Sequence, residues 1–127
     1  RRSSDLATDL SGGQRQRVWV AMTVAQQTPV LLLDEPTTYL DPAHQIAILD
    51  LVRDLNVAGR TVVMVVHDMT HAARFADSIV AMYDGKVLAA GETEEVMSAG
   101  LVEKLFGISC LEVRDPETGR VLPIPYR

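Results

Sequence analysis

Cysteine is all but missing: Cys110 is the single one in 127 residues. That excludes an internal disulfide framework and a cysteine-rich zinc site, and it fits a reducing compartment. Basic residues are outnumbered, 12 Lys and Arg against 17 Asp and Glu, for a net charge of −5. A balance of that sign argues against a nucleic-acid surface or an anionic-membrane binder. Long apolar runs are lacking too. None is longer than Val62–Val66, which is far short of a bilayer span. No apolar stretch follows Arg1-Arg2-Ser3-Ser4-Asp5, so no secretory leader is expected there. Repeats and low-complexity segments are absent. What remains is 47% hydrophobic and 23% charged, enough for a packed core of one domain burying on the order of two-thirds of its unfolded surface.

The patterning predicts an α/β order. Val18, Ala21, Met22 and Ala25 keep helical spacing, with Ser11 as a natural N-cap and an end near Gln27 before Pro29. Val30-Leu31-Leu32-Leu33 reads as a buried parallel strand. Asp41-Pro42 starts a second helix with Ile48, Leu51, Val52 and Leu55 on its apolar face, and Gly59 ends it. Thr61–Val66 is a second β-branched strand. A short helix with Ala72, Ala73, Phe75 and Ala76 follows. Asp84-Gly85 joins Ile79–Tyr83 to Lys86–Ala90 as a hairpin. Two short helices, near Thr93–Ser98 and Leu101–Phe106, are expected to close at Gly100 and Gly107, with Thr93 as a cap and Glu92, Glu94 and Glu95 on a solvated face. Cys110–Val113 and Val121–Ile124 form a terminal hairpin. Helices alternating with strands imply a parallel sheet, and ligands of such sheets lie beyond the carboxyl ends of the strands. Asp34-Glu35 and His67-Asp68 occupy those ends.

Three constellations bear chemistry. Leu10-Ser11-Gly12-Gly13-Gln14 opens a helix with two glycines, whose bare amides, with the Ser11 hydroxyl and the positive end of the helix dipole, suit an anion. By itself it also fits an ordinary capped helix start. Asp34-Glu35 puts two carboxylates at a strand tip, fit to hold a hard cation and to accept a proton from water, or to be a solvated acidic turn before Pro36. His67 after the second strand is either a proton and hydrogen-bond partner or a satisfied strand-end residue.

In combination these segments resemble the ABC ATPase family. Leu10–Gln14 is similar to its signature motif, Val30-Leu31-Leu32-Leu33-Asp34-Glu35-Pro36 to its Walker B motif, Tyr39-Leu40-Asp41 to its D-loop and His67 to its switch histidine. A chance match to the signature has odds on the order of one in ten thousand. Thr37-Thr38-Tyr39-Leu40-Asp41, His44-Gln45 and Leu105-Phe106-Gly107-Ile108 with Cys110 resemble the ATPases of iron–siderophore, haem and cobalamin importers. One family hallmark is missing. A P-loop needs G-x-x-x-x-G-K-[S/T], and the sole Gly-Lys, Gly85-Lys86, is followed by Val87 and has Val80 five places before Gly85. The glutamine loop and the adenine-stacking aromatic have no room in the ten residues before Ser11. The chain therefore resembles the C-terminal part of an ABC ATPase, with residues 1–127 expected to form one partial ATPase domain of a P-loop NTPase fold.

The resemblance implies a role for each position. Two subunits of the family sandwich two ATPs, and Ser11, Gly12, Gly13 and Gln14 would contact the γ-phosphate of ATP bound by the partner. Asp34 would help hold Mg²⁺, Glu35 would act as general base on the attacking water, and His67 would bond the γ-phosphate and orient that water. Asp41 would lie at the subunit interface. ATP and Mg²⁺ are the implied cofactors. The implied partners are a second ATPase subunit, as a homodimer, and transmembrane permease subunits, with no direct nucleic-acid contact. The location implied is the cytoplasmic face of the cell membrane, without spanning it, and the closing sandwich would drive alternating access for an imported iron–siderophore or related chelate. The 127 residues alone are expected to be inactive. The competing readings are an ABC-type ATPase of DNA repair or translation, and a non-catalytic module donating only its signature face.

Overall fold

The computed structural model describes residues 12–127 and, within them, all side chains but those at 15, 16 and 23. The chain divides into two compact units, the first ending at Val66 and the second being His67–Arg127.

The first unit holds helix α1 (Gly12–Ala25), strand β1 (Val30–Asp34), helix α2 (Pro42–Val57) and strand β2 (Thr61–Val65). The proposed N-cap Ser11 lies outside the described residues. Helix α1 ends at Ala25 rather than Gln27, because Gln27 takes a left-handed φ of 52° just before Thr28-Pro29. Its packed face also differs from the expected one. Val18 and Met22 are half exposed and Ala21 and Ala25 exposed, whereas Val20 is buried and Val24 partly so, against Leu33, Leu40, Ile48 and Val52. The helix is apolar at so many consecutive positions that helical spacing fits two stripes, and packing selects the i, i+4 pair of Val20 and Val24.

Strands β1 and β2 pair in parallel, from Val30 opposite Thr61 to Asp34 opposite Val65. The expected burial of β1 on both faces is not met. Leu31 and Leu33 face the core, while Val30 and Leu32 are exposed, as are Val63 and Val65 on β2. The helices of this unit cover one face of the pair, so a side-chain period of two appears in a run that is apolar throughout. Helix α2 starts as expected. Asp41 is extended and accepts the His44 N–H at 2.9 Å, and Pro42 takes the first helical position, where no amide is needed. Its buried face is Ile48, Leu49 and Val52; Leu51 is at the edge of that stripe and half exposed. Arg60 donates to the Val24 carbonyl at 3.2 Å, tying the end of α1 to the start of β2.

The second unit runs helix α3 (Met69–Phe75), strands β3 (Ser78–Tyr83) and β4 (Lys86–Glu92), helices α4 (Thr93–Val96) and α5 (Ala99–Phe106), and strands β5 (Cys110–Arg114) and β6 (Val121–Pro125). Strands β3 and β4 form the expected hairpin. Asp84 and Gly85 both have positive φ, 50° and 71°, which matches the right-handed strand twist. Gly107 caps α5 with φ 67°. Gly100 does not end a helix; it lies in the first turn of α5, where Ser98 is the N-cap and accepts the Leu101 N–H. Thr93 is likewise not a cap. Its side chain is buried and its hydroxyl donates inward to the Ala76 carbonyl at 2.7 Å, so the cap position falls to Glu92. Ala72, Ala73, Ala81, Met97, Leu101, Val102 and Cys110 form the apolar interior of this unit. Burial pushes the Cys110 thiol above its ordinary pKa, and the negative charge of Glu103 adds to the shift.

Candidate functional site

Helix α1 is described from the glycine pair onward, from Gly12. The first amides of a helix have no partner within it, so those of Gly12, Gly13 and Gln14 form the donor end of a 14-residue helix. No acidic side chain stands in that first turn to neutralise the positive end of the dipole. The Gln14 side chain is exposed. Ser11, assigned to the same anion-binding segment, lies outside the described residues.

The acid pair sits at the carboxyl end of β1. Asp34 is the last residue of the strand, opposite Val65, and is exposed. Glu35 extends the ladder by one bond, its N–H donating to the Val65 carbonyl at 2.9 Å, and then turns left-handed with φ 49°. A side chain in that region of φ is strained, and such positions persist where the surroundings fix them. The surroundings here are a tight turn: the Thr38 N–H reaches the Glu35 carbonyl at 3.2 Å, and Pro36 and Thr37 are buried. Gln45 of α2 donates to the Thr37 carbonyl at 3.4 Å, bracing the turn from behind. Tyr39 is again left-handed, φ 65°, and is 94% exposed. Asp41 is engaged: one carboxylate oxygen takes the His44 N–H and lies 2.8 Å from His44 Nδ1. Asp34, Glu35 and Asp41 are thus carried on one hydrogen-bonded segment of the first unit.

His67 opens the second unit, two residues past Val65 along the chain, and is exposed. The next residue, Asp68, is the N-cap of α3, its carboxylate accepting the His71 N–H at 3.1 Å. His67 is therefore joined directly to a capped helix start.

The donor set fits a cation that keeps most of its water. Among the described residues no group of three or more His, Cys, Asp or Glu side chains could enclose a metal ion. One exposed carboxylate at a strand tip matches Mg²⁺, which is held by one or two carboxylates together with phosphate oxygens and waters.

Sequence reasoning missed the polar cluster around α3. Asp115, 3% exposed, accepts from the Glu117 N–H at 2.9 Å, from Thr118 Oγ1 at 2.9 Å and from Arg74 Nε at 3.0 Å. The Glu117 amide leads in holding its carboxyl below the usual carboxylate range, with Thr118 and the Arg74 guanidinium assisting against the opposing effect of burial. Arg74 also bonds Glu117. The signal available was the Asp115-Pro116-Glu117-Thr118-Gly119 turn, whose partners on α3 lie about forty residues away in the chain.

The family model described as "ABC transporter" matches residues 1–38. The chain is 52% identical over 125 residues to the probable siderophore transport system ATP-binding protein YusV of Bacillus subtilis, covering 97% of this chain and 46% of that protein. It is 46% identical over 117 residues to the ferric enterobactin transport ATP-binding protein FepC of Escherichia coli, covering 91% and 43%. Among solved structures, a transporter assigned to the metal-chelate ABC type, in an inward-facing conformation, superposes with a TM-score of 0.84 at 30% identity, over 95% of this chain and 50% of that one. A dimeric ATP-binding cassette in a post-hydrolysis state with ADP and phosphate superposes with a TM-score of 0.64 at 40% identity, over 68% and 37%. The chain spans about half the length of the relatives it matches. No helix among the described residues is long and apolar enough to cross a membrane.

Proposed function

Because this chain is a homologue of the ATP-binding subunits of ABC transporters and carries their ATPase fold, we propose that it supplies the hydrolytic and signature elements of such a subunit, one that powers import of an iron–siderophore or a related chelate. Residues 1–127 form a partial ATPase domain in this reading, and nucleotide is clamped between two copies of the subunit on the cytoplasmic face of permease subunits. The observation that carries it is the Asp34-Glu35 pair at the carboxyl tip of a parallel strand, in a chain about half identical to siderophore-transport ATP-binding proteins.

Each group has a task in this reading. The amides at the start of α1, with Ser11, would donate to the γ-phosphate of ATP held on the facing subunit, where charge builds in the transition state. Asp34 would hold Mg²⁺ through its exposed carboxylate; when bound, the ion supplies charge neutralisation for the phosphate oxygens. Glu35 would accept the proton of the attacking water, its left-handed backbone fixing the direction in which its side chain leaves the strand. His67 would donate to the γ-phosphate and align the water. Asp41, tied into the cap of α2, would pass contact from the facing subunit to the turn that carries Glu35.

The test uses the complete ATP-binding subunit with its P-loop. Glu35→Gln should lower phosphate release by roughly 10²–10⁴-fold while ATP binding, read by filter retention, persists. Unimpaired turnover by this variant removes Glu35 from the role of base. The 127 residues alone, lacking a P-loop, should release no phosphate above background. Magnesium-dependent turnover by that purified piece would overturn the reading.

A further inference from the structure

We propose that Arg120 is a positioning residue for His67, acting through helix α3, and that the turn from Asp115 to Arg120 is therefore part of the hydrolytic apparatus rather than a passive tail. The inference rests on the phosphate-facing role given to His67 above.

Helix α3 has seven residues, two turns, too few to be stable or oriented by itself. At its front, Asp68 supplies the cap, and His67 is the next residue back along the chain. At its rear, the last carbonyls of a helix are unpaired and carry the negative end of the dipole. One guanidinium donates to two of them and to the carbonyl of the cap residue Ala76, which Thr93 also bonds. Arg120 Nη1 is 3.4 Å from the Ala73 carbonyl, 3.3 Å from that of Arg74 and 2.9 Å from that of Ala76. The exchange is reciprocal, because α3 sends Arg74 back to the same turn, where Nε donates to buried Asp115 at 3.0 Å and Nη2 bonds Glu117. The turn is itself closed: the Asp115 N–H reaches the Arg120 carbonyl at 2.9 Å and the Gly119 N–H the Asp115 carbonyl at 2.8 Å. Arg120 is mostly buried, and Glu94 lies 3.5 Å from its Nε. Two arginines, each from one partner and each bound by the other, fix α3 along its axis and against rotation. Since no flexible residue separates His67 from the capped start of α3, a shift of the helix is a shift of the imidazole.

The experiment is a double-mutant cycle in the complete subunit, with kcat and KM for ATP as readouts and amide hydrogen exchange over residues 68–77 beside them. Arg120→Ala should accelerate exchange in α3 and lower kcat on the order of 10- to 100-fold with KM for ATP unchanged, because misplacement of a catalytic group by about an ångström has that effect. Arg120→Lys should recover part of the loss, since an ammonium covers fewer carbonyls than a planar guanidinium. On a His67→Ala background, Arg120→Ala should cost nothing further, as expected of a residue that acts only through His67. If Arg120→Ala does not accumulate as folded protein, Arg120→Lys carries the same cycle. An equal kcat loss on both backgrounds, or unchanged exchange and turnover where His67→Ala is impaired, overturns the positioning role and leaves the reading of His67 standing. Full kcat in His67→Ala overturns that reading instead, and the inference with it.

Discussion

Thr93→Val and Arg120→Ala each remove one donor from the same acceptor, the Ala76 carbonyl, and together they remove both. Thr93 Oγ1 donates to it at 2.7 Å and Arg120 Nη1 at 2.9 Å. Valine keeps the shape of threonine, and the carbonyl keeps Arg120, so the first change should cost about 1 kcal/mol, the net worth of an ordinary hydrogen bond. Arg120→Ala removes a charged donor shared by three carbonyls and should cost about 2–3 kcal/mol. In the double variant the carbonyl is left without either donor, and the penalty for an unsatisfied group should raise the total above the sum by about 1 kcal/mol. The assay is native-state hydrogen exchange over residues 69–77 and 93–97 in the complete subunit, where local opening is read without assuming two-state unfolding of a large protein. The coupling should appear as about a fivefold excess in exchange over the product of the single effects. Additive costs would refute the shared-acceptor reasoning and mean that water replaces either donor without loss.

Acidification should loosen the Asp115 turn. Its carboxyl titrates below the ordinary range in the folded state, so its contribution is complete above the unfolded pKa of about 3.9 and is lost as pH falls through the lower folded value. Protection factors over residues 115–120, with the intrinsic slowing of exchange by acid divided out, should fall between pH 6 and pH 2.5, and Asp115→Asn should flatten that fall. In the first unit, Leu49 is 1% exposed, so Leu49→Ala should cost about 2–5 kcal/mol, visible as accelerated exchange in α2.

What the sequence made legible was local. The Asp41-Pro42 start, the Asp84-Gly85 hairpin and the Gly107 cap are each decided by residues within a turn of one another, and all three are found. The tip acids were legible because a strand ending in Asp-Glu-Pro has one outcome: the strand stops. The packed stripe of α1 was not, because Val18 and Met22 on one side and Val20 and Val24 on the other are equally apolar, and only packing against β1 and α2 chooses between them. Thr93 was misread for a related reason. A threonine ahead of Glu94-Glu95 has the local look of a cap, and its acceptor, the Ala76 carbonyl, lies seventeen residues away. The reciprocal arginines depend on partners more than forty residues distant and leave no periodic trace.

The uncovered side of the β1–β2 pair has a practical outcome. Val30, Leu32, Val63 and Val65 make a greasy ribbon, and each strand offers a second edge with no strand beside it among the described residues. In concentrated solution such a ribbon is a seed onto which other molecules can add strand by strand. Preparations of these 127 residues should therefore cloud with concentration and time, and a charge introduced at Leu32, on the open side, should keep them clear.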